Sequence, residues 1–166
     1  MTIDSTEFKA AMRNFAGHVC LITTTSRDGQ RAGLTATAVC SVSAEPPTLL
    51  VCVNRGNASY EAIIGAGVFA VNVLALGDRP LADRFSTRLP GGEKFSAGSW
   101  TQLISAAPVL ESALVGFDCK VAQWVVQGTH AILFGEIQAI RVDATNPTPL
   151  LYSDGSYGGF ASVEMG

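Results

Sequence analysis

Three short stretches of this 166-residue sequence concentrate side chains able to hold a ligand. In Thr35-Ala36-Thr37-Ala38, followed by Ser41-Val42-Ser43, small side chains alternate with hydroxyls. A planar ligand can approach such a backbone closely, and exposed N–H and C=O groups can then read its polar edge. Hydroxyls on a solvated sheet edge account for the same residues, so both readings stand. In Asn54-Arg55-Gly56-Asn57-Ala58-Ser59 a strand-like run gives way to a helix-like one. The free N–H groups and partial positive charge of a helix start can hold a phosphate there, with Arg55 adding charge and Ser59 a hydroxyl. Ordinary helix capping explains Asn57 and Ser59 equally well. In Asp83-Arg84-Phe85, the arginine can pair with a phosphate while the ring covers a ligand, or it can form a surface ion pair.

His130 is one of two histidines and follows a glycine turn at a strand start, a place that serves structure as readily as catalysis. Tyr152 and Tyr157 lie in a glycine-rich tail, where they either stack on a ring or seal the fold. The sequence has no Ser-His-Asp spacing, no paired carboxylates, no G-x-G-x-x-G after a strand and no G-x-x-x-x-G-K-[ST]. Hydrolysis and metal catalysis therefore have no residues to carry them. What remains is a binding site whose chemistry comes from the bound molecule. The four cysteines, Cys20, Cys40, Cys52 and Cys119, sit in apolar runs without a C-x-x-C. They read as free thiols in a reducing cytoplasm, with no metal site expected.

Composition narrows the partners. Eleven basic and 14 acidic residues give a formal net charge of -3, which argues against a nucleic-acid binder. Only 15% of residues are charged and 48% are hydrophobic, against about 25% charged in an average soluble domain. Disorder is excluded, and a chain this sparsely charged has more apolar surface than one copy can hide. No apolar run approaches the roughly 18 to 20 residues of a membrane-spanning helix. The start, Met1 to Lys9, is too polar and acidic for a secretory signal.

The elements that must position these residues are mostly short strands. A first helix starts at Asp4 or Ser5, places Phe8, Met12 and Phe15 on one face and ends at Gly17. Strands are expected at His18 to Thr25, Ala32 to Ser43, Thr48 to Val53 and Val68 to Leu76, with a hairpin turn at Asp28-Gly29. Pro46-Pro47 must interrupt the ladder. Short helices follow Asn57 and span Asp78 to Ser86; Thr87 to Ser99 reads as a long loop. Two further strands, turning at Gly128, fill Ala113 to Val142, and the tail from Asn146 to Phe160 reads as loop. This pattern predicts one mainly β domain over residues 1–166, a closed β-barrel with a few helices.

These segments, in this order, resemble the short flavin reductases that serve two-component flavin-dependent monooxygenases. The matching pieces are GLTATAVCSVSAEPPTLLVCVN (Gly33 to Asn54), the helix start at Ser59, FAVNVL (Phe69 to Leu74), LADRF (Leu81 to Phe85), HAILFGEI (His130 to Ile137) and PLLYSDGSYG (Pro149 to Gly158). The resemblance implies the FMN-binding split β-barrel. It also implies a cytoplasmic homodimer that reduces FMN, FAD or riboflavin with NADH or NADPH and releases reduced flavin to a separate monooxygenase.

Roles for individual residues follow from the same resemblance. Thr35, Ala36, Thr37 and Ala38 would run along the isoalloxazine, with Ser41 nearby. Asn54, Ser59, Arg84 and Phe85 would hold the ribityl phosphate end. His130, Tyr157 and Gly158 would face the nicotinamide, with His130 orienting the dinucleotide. Family members often carry basic residues before the Tyr-Gly pair, whereas this chain reads Ser153-Asp154-Gly155-Ser156. That favours NADH, because a 2′-phosphate wants a nearby cation. Two neighbouring readings stay open: an FMN oxidase related to pyridoxamine-phosphate oxidase, and a flavin-binding module without catalysis.

Overall fold

The computed structural model of the chain describes residues 3–143, 145 and 148–162. Its first helix, α1 (Ser5–Met12), is started by Asp4, whose carboxylate accepts from the N–H groups of Thr6 and Glu7. Those bonds satisfy donors that a helix start leaves free, and they hold the Asp4 carboxyl below its usual range. The helix stops at Met12 rather than Gly17. The Asn14 side chain turns back onto the carbonyls of Ala10 and Ala11 and so closes the last turn. Gly17 instead opens a two-residue strand, β1 (Gly17–His18).

The expected strand after it continues as β2 (Cys20–Thr25), separated by Val19, which bonds Leu74 and Leu150. The Asp28-Gly29 turn leads to β3 (Arg31–Ala36), with Gly29 at a φ of +82°. Ala32 to Ser43 is not one strand. It breaks at Thr37-Ala38, and β4 (Val39–Ala44) begins beyond. A tight turn at Glu45-Pro46 leads to β5 (Pro47–Asn54), as the two prolines require. Helix α2 (Ala58–Ala66) is capped by Asn57 and closed by Gly67, followed by β6 (Val68–Val73) and α3 (Arg79–Ser86). The expected loop after it contains a single helical turn, α4 (Gly91–Lys94). Beyond it lie β7 (Trp100–Thr101), β8 (Val109–Leu110) and the long hairpin of β9 (Val115–Gln127) and β10 (His130–Val142). The tail forms a small hairpin, β11 (Leu151–Ser153) and β12 (Ser156–Gly158), that pairs with β1. Asn146, where the tail was expected to begin, lies outside the described residues.

The main sheet has seven antiparallel strands in the order β3-β2-β6-β9-β10-β5-β4. Its two edges, β3 and β4, are consecutive in the chain and only Thr37 and Ala38 separate them. Seven strands laid flat would hold those edges about 29 Å apart, whereas so short a link spans about 11 Å. The sheet must therefore roll until its edges approach; the Cys52 N–H bond to the Ala38 carbonyl at 3.0 Å extends the β4–β5 pairing into the link. No ladder joins β3 to β4, so the closed barrel expected from the strand pattern is corrected to a rolled, split one. Residues are mainly β, as expected.

Rolling gives β2 two buried faces, which is why its run reads as continuously apolar. Adjacent Leu21 and Ile22 point to opposite sides and join different clusters. Ile22, Leu34, Val51, Phe69, Val71 and Leu133 fill the inside of the roll. Leu21, Leu74, Phe85, Phe95, Leu110 and Leu150 form the second cluster outside it, with α3. Among the described residues, no helix is long and apolar enough to cross a membrane.

Buried Asn72 fastens the β7–β8 segment to the sheet. Its amide donates to the Leu21 carbonyl and the Thr23 hydroxyl, and its carbonyl accepts from Leu110 N–H at 2.7 Å. Asn72→Ala would leave the buried Leu110 N–H without its acceptor and is expected to cost about 2–4 kcal/mol, measured by denaturant unfolding.

All four cysteines are free thiols. Burial pushes Cys20 and Cys119 up to about 12, with the Asp118 carboxylate adding to the effect at Cys119. Because the folded value lies above the unfolded one, the stabilisation is complete below about pH 9 and is lost as pH rises towards 12. The stability of Cys20→Ala should therefore fall less steeply than that of the parent between pH 8 and 11. Parallel slopes would contradict this.

Candidate functional site

Two concavities open along one stretch of chain, Ala32 to Ala38. The first, of about 510 Å³, is lined by Ala32 and Gly33 on β3, by Asn57, Ala58 and Ser59 at the start of α2, and by the segment from Thr87 to Lys94. The second, of about 580 Å³, is mostly apolar, lined by Thr37 and Ala38, by Phe8, Met12 and Phe15 around α1, and by Tyr152, with Lys9 and Arg13 also in its wall. Gly33 and Thr37 are four residues apart, about 13 Å along an extended chain. Edge strand β3 thus joins a polar pocket to an apolar, aromatic one.

The polar pocket is electrostatically lopsided. Arg88 and Lys94 line it and no acidic residue does. Lys94 is 5% exposed, and its ammonium donates to the carbonyls of Gly33 (3.0 Å) and Phe85 (3.1 Å). Burial holds that ammonium below the usual lysine range. At α2 the Asn57 carboxamide accepts from Ser59 N–H, and the Tyr60 N–H bonds the Asn57 carbonyl. Gly91 brings α4 against β3 so closely that a Cβ would strike the Arg31 carbonyl. The Gly33 carbonyl is turned off the ladder towards Lys94. Antiparallel alternation turns the N–H and C=O of Thr35 the same way, onto the sheet's unpaired edge.

The residues singled out from sequence divide between these places. Thr37 and Ala38 are exposed at the apolar pocket, and Ser59 is buried in the wall of the polar one. Ala36 is half-buried against the inner core. The Thr35 hydroxyl is committed to the Ala82 carbonyl on α3 at 2.7 Å, so only its backbone edge is available to a ligand. Ser41 is exposed on edge strand β4. Asn54 shapes the turn before α2, its carboxamide accepting from Gly56 N–H.

Arg84 and Phe85 make their contacts within the protein. The Arg84 guanidinium donates to the Glu93 carbonyl and the Ser96 hydroxyl, stapling α3 to the chain around α4, and it does not line the polar pocket. The Phe85 ring is 1% exposed and packs on Phe95 and Trp100, because it occupies the inward face of α3. The cations that line the polar pocket are Arg88 and Lys94. Arg55 also lies outside the lining; its N–H bonds the Thr129 carbonyl.

His130 and Tyr157 occupy different sheets. His130 is exposed at the start of β10, paired with Asn54, and its Nδ1 meets the Thr129 hydroxyl at 2.9 Å. Tyr157, on β12, stacks edgewise on Tyr152 at 5.3 Å, with the Arg79 guanidinium 5.4 Å from its ring. Burial and the neighbouring Asp83 carboxylate push its phenol up. Gly158 is exposed, with open space where a side chain would be.

Sequence reasoning missed Arg88 and Lys94, which lie in a segment without periodicity. One signal was available: a chain with only 11 basic residues places three of them between Arg84 and Lys94.

Comparison with known proteins gives the family and the fold. A family model described as the flavin reductase like domain matches residues 12–161. A protein of Methylorubrum extorquens named FMN reductase (NADH) RutF 1 is 43% identical over 155 residues, 93% of this chain and 76% of that protein. BorF, the flavin reductase component of a bacterial two-component tryptophan halogenase, superposes with a TM-score of 0.87 at 26% identity, covering 96% of this chain and 100% of that one. The NADH:FAD oxidoreductase SgcE6 of Streptomyces globisporus C-1027, solved in complex with NAD and FAD fragments, gives a TM-score of 0.87 at 25% identity, covering 95% and 93%. With its rolled sheet, its cationic pocket and a family match over most of its length, the chain belongs to the flavin reductase like family.

Proposed function

We propose that this protein binds FMN, takes hydride to it from NADH and releases the reduced flavin to a separate cytoplasmic oxygenase. The observation that carries the reading is the pairing of an acid-free pocket holding Arg88 and Lys94 with an apolar pocket along one edge strand. Flavin mononucleotide has the matching form, a phosphate at one end and a flat ring at the other. The donor set fits it, since Lys94 is a buried cation without a carboxylate in the pocket wall.

Bound flavin supplies the hydride acceptor, and NADH the donor. The protein's own part is placement and charge. Lys94, Arg88 and the start of α2 hold the phosphate. Thr37 and Ala38 lie against the ring, and their small side chains let it approach the backbone. The free backbone edge of Thr35 reads the ring's polar rim and favours negative charge developing there. Phe8, Met12, Phe15 and Tyr152 keep water from the ring. Ser41 sits at the far side of the link, and Asn54 presents α2. His130, Tyr157 and Gly158 contact the dinucleotide, with His130 orienting it rather than transferring a proton.

The active form on this reading is a homodimer of one-domain chains. Trp124, Val125 and Val126, at the end of β9, are 48%, 51% and 46% exposed in one copy, and Val42 on edge strand β4 is 47% exposed. An apolar surface of this kind in a chain so poor in charge calls for a second copy to cover it. Light scattering at micromolar concentration is expected to give twice the chain mass; a monomer would remove this part.

Purified protein should oxidise NADH, followed at 340 nm, rapidly once FMN is added. Bound yellow flavin that NADH does not bleach would favour a storage module. Sustained oxidation of an amine or alcohol without NADH would favour the oxidase. His130→Ala should raise the Michaelis constant for NADH several-fold with little change in that for FMN, and an unchanged constant would remove the role given to His130.

A further inference from the structure

Four of the chain's 11 basic residues line the two cavities, and no described acidic residue does. Arg88 and Lys94 stand in the polar pocket, where the flavin phosphate accounts for them. Lys9 and Arg13 stand in the wall of the aromatic one, and nothing in the flavin accounts for them. Both are exposed, and neither belongs to the single ion pair among the described residues, Arg79 with Asp83. Glu7 on the same helix and Asp154, whose N–H bonds the Arg13 carbonyl, stay out of the cavity lining.

Helix α1 forces these two cations together. The Arg13 N–H bonds the Lys9 carbonyl at 3.2 Å, so the pair sits one turn apart on one face. One cation in the last turn suits the helix dipole, but a like charge one turn away repels it. The helix has no buried side chain to offset that repulsion. An anion lying against both side chains turns the repulsion into attraction. The flavin reading leaves one anionic reactant unplaced. The flavin phosphate lies at the Gly33 end of β3, about 13 Å along the strand from Thr37, and the ring lies between it and α1. Direct hydride transfer needs the nicotinamide stacked on that ring. Stacking there brings the two phosphates of the dinucleotide to the rim of the aromatic cavity, where Lys9 and Arg13 stand.

We infer that Lys9 and Arg13 hold the diphosphate of the hydride-donating dinucleotide, so that α1 positions the donor over the flavin ring. Phe8, Met12 and Phe15 of the same segment cover the stacked rings, while the two cations hold the diphosphate outside them. The bond from Asp154 N–H to the Arg13 carbonyl, at 2.8 Å, fixes this end of α1 to the tail hairpin, whose Tyr152 flanks the same cavity. Lys9 and Arg13 bind and orient; no proton passes through them. This inference rests on the flavin reading above and adds to it the residues that take the donor.

The test separates the diphosphate from the nicotinamide. ADP-ribose, which carries the diphosphate without the nicotinamide, is titrated by calorimetry into FMN-saturated protein, with adenosine as the probe lacking phosphate. The parent should bind ADP-ribose more tightly than adenosine. The double variant Lys9→Gln, Arg13→Gln keeps good helix formers and removes the repulsion, so α1 is retained. It should weaken ADP-ribose about ten- to a hundredfold, the range for two charge-assisted contacts at an exposed rim, and change FMN less than about threefold. Its Michaelis constant for NADH should rise by the same factor as ADP-ribose weakens, with kcat changed less than about threefold. With reduced nicotinamide riboside, a donor without phosphate, its kcat/KM should match the parent's. Lys9→Arg with Arg13→Lys keeps both charges and should behave as the parent.

A parent that binds ADP-ribose no more tightly than adenosine overturns the inference without any variant. An equal loss with the riboside donor also overturns it, and leaves α1 a structural cover. A loss of FMN affinity with ADP-ribose unchanged assigns the cations to the flavin and overturns it as well. If the parent binds ADP-ribose through the two cations but reduces no flavin with NADH, the reductase reading fails and the diphosphate site stands. If FMN does not bind, both fail.

Discussion

The short link between opposite sheet edges governs this molecule. Because only Thr37 and Ala38 connect β3 to β4, the seven-stranded sheet cannot lie flat. Its roll creates an inner core and leaves α3 to cover part of the outer face. It also leaves β3 with an unladdered edge, and that edge runs from the cationic pocket to the aromatic one. A longer link would let the edges separate, and the two pockets would no longer share a wall. The small side chains of Thr37 and Ala38 serve two purposes there, a sharp crossing of the split and close approach by a flat ligand.

Charge is used sparingly and locally. Buried polar groups such as Thr23, Asn72, Asp78 and Asp118 are matched by backbone or hydroxyl partners, so they fasten loops to the sheet without ion pairs. Arg79 and Asp83, at 3.8 Å on the surface, contribute little to stability. Lys94 differs in sign, a buried cation held by two carbonyls rather than by N–H and hydroxyl donors. The scarcity visible in composition therefore marks the pocket more sharply than a basic patch would have done.

What could be read from the residues beforehand was what local chemistry decides. The Asp28-Gly29 turn, the Asn57 cap and the hairpin turning at Gly128 all depend on a few neighbouring residues and are present, while the proline break is confined to Glu45-Pro46 because Pro47 already pairs with Ala44. The break at Thr37-Ala38 was hidden because Ala32 to Ser43 is uniform in small and hydroxyl residues, with nothing to mark a crossing. Phe85 was placed over a ligand on residue type. The three-residue fragment around it does not reveal which face of α3 turns inward. Lys94 carried no expected role and Arg84 did for the same reason, since only the fold decides which cation faces a loop carbonyl and which lines a cavity. Tail hairpin β11–β12 depends on pairing with β1, more than 130 residues earlier in the chain.

Helix α1 is eight residues long, with no buried side chain, and helices of that length are marginal in water. Its end is tied to the body by one backbone bond, from Asp154 N–H to the Arg13 carbonyl at 2.8 Å. The ordering of α1 is therefore coupled to whatever covers Phe8, Met12 and Phe15. Any molecule filling the aromatic pocket offsets the cost of fixing that helix, and its measured affinity is reduced by the same amount. The amide protons of residues 8–12 thus act as a built-in gauge of occupancy, exchanging quickly when the pocket is open and slowly when it is filled.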